Sequence, residues 1–140
     1  MIVVLDTNIL VSALRSNAGP CHALLQSIPS KKFKPALSVP LYFEYQDVLH
    51  RPGLIPPAYT SQDIDKICDQ LAAHSSSRLI HFLWRTLLPD PKDDLVLEVA
   101  VAAGASYIVT RNLKDFGPAA SFGIQVVGPA QFIQLIGGLP

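Results

Sequence analysis

MIVVLDTNIL (residues 1–10) decides how the rest of the chain is read. Ile2, Val3, Val4 and Leu5 form a short β-rich run with no polar residue, the mark of a strand buried on both faces. The run ends on Asp6, and Thr7 and Asn8 lead into a new apolar periodicity. A carboxylate at the end of a buried strand costs solvation free energy unless something holds it. Asp6 therefore either caps the following helix or binds something.

Working outward, NILVSALRS (8–16) keeps an apolar helical face, and AGP (18–20) breaks it. CHALLQSI (21–28) reads as a short helix, KKFK (31–34) as a basic turn, PALSV (35–39) as a second strand and LYFEYQDVLH (41–50) as a helix opened by Pro40. RPGLIPPAYT (51–60), with three prolines and a glycine, is an irregular loop. SQDIDKICDQLAAHS (61–75) places Ile64, Ile67, Cys68 and Leu71 on one helical face. LIHFLW (79–84) reads as a strand. In PDPKDD (89–94), Asp90 is the N-cap, Pro91 the first helical residue and Asp93 the third. The helix DLVLEVAVAAGA (94–105) stops at Gly104, SYIVT (106–110) is a strand, RNLKDFG (111–117) a loop, IQVV (124–127) the last strand and PAQFIQLI (129–136) the last helix.

Short apolar strands alternating with helices predict an α/β fold: a parallel sheet with helices on both faces. The 140 residues suit a single domain spanning 1–140. With 49% hydrophobic and 16% charged residues the chain is globular rather than disordered. Eleven basic residues balance eleven acidic ones, so the net charge gives no support to a sequence-reading DNA binder. Cys21 and Cys68 have no metal-type spacing and read as reduced core thiols. The apolar start lacks the basic segment of a signal peptide, and no apolar run reaches the roughly 18 residues of a membrane span. The expectation is a soluble, cytoplasmic protein.

Open α/β sheets bind ligands beyond the carboxyl ends of their strands. Asp6 follows the first strand, and Glu44 lies one turn into the helix after the second. Thr110, Arg111, Asn112 and Asp115 follow the SYIVT strand, and Asp94 opens the helix that leads to it. Gathering these acids at one rim would raise their pKa values. A hard divalent cation removes that cost, and oxygen donors without nearby His or Cys favour Mg²⁺ or Mn²⁺ over Zn²⁺. Each acid alone also has a structural explanation. Asp6, Asp90 and Asp93 can cap helices, Glu44 can face solvent, Asp94 can complement the helix dipole and Asp115 can close a turn.

Together, VLDTNILVSAL, PLYFEYQDVL and DPKDDLVLEVAVAAGASYIVTRNLKDF resemble the PIN-domain family of metal-dependent ribonucleases. More narrowly, the chain resembles the bacterial toxins akin to virulence-associated protein C. The resemblance implies a Rossmann-like three-layer α/β/α sandwich, Mg²⁺ or Mn²⁺, cleavage of RNA, an antitoxin protein as partner and often a homodimer. It places the family's acids at Asp6, Glu44 and Asp94, with Asn8 and Thr110 in support. Asn112 stands where the family often has a fourth acid. Asn adds no charge, and Asp115 is the nearby acid that could take its part. Arg111 and Arg15 are the candidate phosphate contacts. The competing function is a PIN fold acting as a binding or scaffold module, for which Asn112 and the zero net charge speak. A dehalogenase-type phosphatase would want an acid where Asn8 stands, a receiver domain a second acid beside Asp6, and a dinucleotide site a Gly-rich turn after the first strand.

Overall fold

The computed structural model describes residues 1–30, 32–78 and 90–138. Strand β1 (Ile2–Leu5) lies at the centre of a five-stranded parallel sheet. It pairs on one side with β2 (Lys34–Ser38) and on the other with β4 (Tyr107–Val109). β3 (Ser76–Arg78) extends the sheet beyond β2, and β5 (Gln125–Val127) beyond β4, giving the order β3-β2-β1-β4-β5. Val3, Val4 and Leu5 are buried, as a central strand covered on both faces requires.

Helices α1 (Thr7–Arg15), α2 (Pro20–Gln26), α3 (Val39–Leu49), α4 (Ser61–Ala73), α5 (Pro91–Ala103) and α6 (Pro129–Leu135) complete a Rossmann-like α/β/α sandwich. α5 packs along β1 to β4, while α2 bridges α1 and α6. Phe132 of α6 is fully buried, its ring edge-on to Phe33 at 5.1 Å and to Tyr107 at 5.7 Å. The chain punctuates itself as its sequence implies. The Asp90 carboxylate accepts from the Lys92 amide (2.9 Å) to start α5, and Gly104 ends that helix at φ +63°. Thr60 and Asp63 close a reciprocal capping box on α4. Cys21 and Cys68 are buried free thiols. Among the described residues, no helix is long and apolar enough to cross a membrane.

Two elements depart from the sequence reading. Ser76–Arg78, given no strand there, forms the sheet's edge strand; an edge pairs on one side only, so a short polar segment can fill it. The strand expected at 79–84 lies outside the described residues. The segment expected as a loop at 111–117 instead enters 3₁₀ turns over Leu113–Phe122, broken at Phe116. Its buried residues, Phe116 and Ala119, stand three apart, the spacing of a 3₁₀ face.

β1 is where the strand order reverses: the chain passes to β2 on one side and later returns to β4 on the other. In such sheets the crevice at the carboxyl ends of the two diverging strands is the natural ligand position. The β1–β4 register pairs Leu5 with Val109, so the next residues, Asp6 and Thr110, emerge side by side at that crevice.

Candidate active site

Asp6 occupies the N-cap position of α1 with extended backbone, yet its side chain makes no capping bond. Its amide donates to the Val109 carbonyl (2.9 Å), continuing the ladder one step past the strand. The Thr110 hydroxyl donates to the Asp6 carboxylate at 2.7 Å. That hydroxyl also accepts from the Asn8 side-chain amide (3.3 Å) and from the Asn112 backbone amide (3.1 Å). Thr110 thus uses its one donor and both lone pairs. Asn8 in turn accepts from the Arg111 amide (3.3 Å). Asp6, Asn8 and Thr110, distant in sequence, form one fixed network, and Asn112 joins it through its backbone. Beneath it, the buried Tyr45 hydroxyl donates to the Leu5 carbonyl, which anchors α3 to the end of β1.

Three carboxylates around this network, Asp6, Asp93 and Glu44, are raised by burial and by neighbouring acids. Burial pushes the Asp6 carboxyl up; the Thr110 hydroxyl and the Thr7 amide pull it down, while the charges of Asp115 and Asp90 push it up. Asp93 is pushed up to about 7, first by burial and then by Asp6, Asp90, Asp115 and Asp94. Burial also raises Glu44, opposed by Lys92 and reinforced by Asp47 and Asp90. Glu44 and Lys92 approach to 3.9 Å, with the glutamate side chain only 13% exposed. Asp90 acts on all three of these acids, so the start of α5 is the electrostatic meeting point of the rim.

This grouping adds residues to the set read from sequence. Asp90 and Asp93 had only capping roles there, and Asp90 does cap α5. Asp93 additionally shares the field of Asp6, Asp115 and its neighbour Asp94, where the resemblance places the third acid. Adjacent helical residues point about 100° apart, so the signal for Asp93 was its place in the first turn after Asp90-Pro91. Among the described residues, no three acidic, His or Cys side chains stand close enough to hold a metal ion.

Of the candidate cations, Arg111 donates to the Ser12 hydroxyl (2.6 Å) and lies beside the network, while Arg15 is exposed at the end of α1. Of the aromatic residues, Tyr45 is core, Tyr42 donates to Asp69 (2.7 Å) and Phe43 is 59% exposed.

The sequence model of the PIN domain matches residues 2–114. No curated relative matches the chain. Among solved structures, the chain is similar to the crystal structure of VapBC2 from Rickettsia felis bound to a DNA fragment from their promoter. That match has a TM-score of 0.61 and 17% identity, covering 91% of this chain and 98% of the other, a likeness of fold. The family match takes in β1 with Asp6, α3 with Glu44, α5 with Asp93 and Asp94, and β4 with Thr110 and Asn112: the chain belongs to the PIN-domain family.

Proposed function

We propose that the protein is a metal-dependent ribonuclease that hydrolyses RNA phosphodiester bonds, acting as the toxin of a toxin–antitoxin pair. The observation that carries this reading is that Asp6 and Asp93 are both pushed up by burial and by the charges of Asp90 and Asp115, Asp93 to about 7. Such a group favours a cation, and its donors are all oxygens, the ligands of Mg²⁺ or Mn²⁺. PIN domains generally use divalent ions. Asp6 and Asp93 would hold the ion, with Glu44, Asp94 and Asp115 acting through water. A bound divalent ion supplies a more acidic water and neutralises charge on the phosphate.

The chain's own residues do the rest. Thr110 fixes the Asp6 carboxylate, and Asn8 and the Asn112 amide fix Thr110. Arg111 and Arg15 supply positive charge for RNA phosphates. The antitoxin partner is supported by the fold shared with the VapBC2 complex. A homodimer is an expectation from the family.

The test is cleavage of a fluorescent single-stranded RNA in Mg²⁺ or Mn²⁺. Wild type should cleave, while EDTA, Asp6→Asn and Asp93→Asn should each abolish cleavage with the fold intact. Comparing Asp93→Asn with Asp94→Asn identifies the third acid. Full activity in Asp6→Asn overturns the assignment. The Lys92–Glu44 ion pair favours one alternative, a PIN-fold binding or scaffold module in which a lysine stands in for the ion. Absence of Mn²⁺ binding at millimolar concentration would select it.

A further inference from the structure

Beside the acids, a cleft of about 450 Å³ runs along α1. Asn8, Val11, Ser12 and Arg15 form one wall at helical spacing, and Arg111 and Pro129 stand among the others. No carboxylate is among its walls, although an acid cluster lies just past Asn8. Asn8 belongs to both: it donates to Thr110, which holds Asp6, and accepts from the Arg111 amide. The Arg111 guanidinium is aimed along the cleft by its 2.6 Å bond to Ser12, which leaves further N–H groups of its fork to donate.

We infer that this cleft is a nucleotide subsite: it receives one unpaired nucleotide next to the scissile bond of RNA, with that nucleotide's phosphate shared by Arg15 and Arg111. The inference rests on the ribonuclease reading and adds where, and in what state, the neighbouring nucleotide binds. Charge separates the two parts of the groove: the acid rim suits a cation and the scissile phosphate, and the arginine cleft suits an anion alone. The volume lies in the range of single small-ligand sites, about 300–1,000 Å³. Val11 and Pro129 offer apolar walls to a base, and a base that enters such a cleft has left its pairing partner. Asn8 and Ser12 already spend hydrogen bonds on Thr110 and Arg111, so the cleft selects for an unpaired strand more than for base identity.

The test is fluorescence anisotropy of a labelled 12-nucleotide single-stranded RNA with the whole protein in EDTA, where no turnover occurs. Arg15→Gln and Arg111→Gln should each weaken binding about tenfold, as loss of a charge-assisted phosphate contact does. The double variant should lower the slope of log affinity against log salt by about 0.7, the value for one phosphate of a single strand. Lys66→Gln, on the exposed side of α4, should leave binding within about twofold. Annealing a complementary strand should abolish the arginine-dependent part. Undiminished affinity and slope in the double variant overturn the subsite, as does failure of wild type to bind, or equal binding of the duplex. The two readings fail separately. Arginine-dependent binding without cleavage in Mg²⁺ or Mn²⁺ removes the nuclease and keeps the subsite. Cleavage indifferent to both arginines does the reverse.

Discussion

The Thr110 hydroxyl holds the buried Asp6 carboxylate at 2.7 Å, across the seam where β1 and β4 end in register. Thr110→Val keeps the shape of the side chain but removes that donor, and it strips Asn8 and the Asn112 amide of their acceptor. Leaving buried groups unsatisfied costs about 1–3 kcal/mol. Urea denaturation should show that loss for Thr110→Val. Thr110→Ser, which keeps the hydroxyl, should lose clearly less; equal losses would show that the methyl and not the hydrogen bond matters.

The raised acids make the cation-free protein sensitive to alkali. Asp93 sits at about 7 in the folded state against about 3.9 for an unfolded aspartate. The folded state therefore keeps a proton that the unfolded state has lost. This contribution is fully present below the unfolded value and is lost as pH rises through the folded one. Asp6 and Glu44 act in the same direction, while the lowered Asp63 titrates below this window. In EDTA, the melting temperature should fall between pH 5.5 and 8. Asp93→Asn should flatten that fall and raise the melting temperature at pH 8. A melting temperature that climbs across the window would contradict the clustering of these acids.

Lys92 neutralises Glu44 from the half-exposed start of α5. An ion pair this open contributes at most about 1 kcal/mol, so Lys92→Gln should barely move the unfolding midpoint. Its effect on cations should be larger. Removing one positive charge beside Glu44 and Asp90 should tighten Mn²⁺ binding about threefold, read as free Mn²⁺ by electron paramagnetic resonance. Weaker binding would instead show that Lys92 holds Glu44 in its useful position.

Much of this geometry was legible in the sequence because it follows local rules. IVVL, PALSV, SYIVT and IQVV announce strands, and Asp90-Pro91 and Gly104 bracket α5. The polar strand Ser76–Arg78 was not legible, since one-sided pairing at an edge leaves no apolar signature. The choice between Asp93 and Asp94 was not legible either. Both fit a first helical turn, and the charge of Asp6 acting on Asp93 is an effect across the fold that local spacing does not reveal. Nor could spacing reveal that Asp6, although placed as a cap, gives its carboxylate to Thr110, because that contact spans more than a hundred residues.

The match to the PIN family ends at residue 114, and the residues after it also hold the site in place. β5 completes the sheet beside β4, and the Thr110 amide donates to the Val127 carbonyl (2.9 Å). α6 then drives Phe132 between Phe33 and Tyr107 with no exposure to solvent. This ring ties α6 to Phe33, just before β2, and to Tyr107 of β4, and through β4 to Thr110. Phe132→Ala should cost about 3–5 kcal/mol, the range for a fully buried aromatic ring. Denaturant melts of wild type and variant should show it, and amide exchange at Thr110 should accelerate in step. A loss under 1 kcal/mol, or protection at Thr110 unchanged, would mean that the PIN core stands without its final helix.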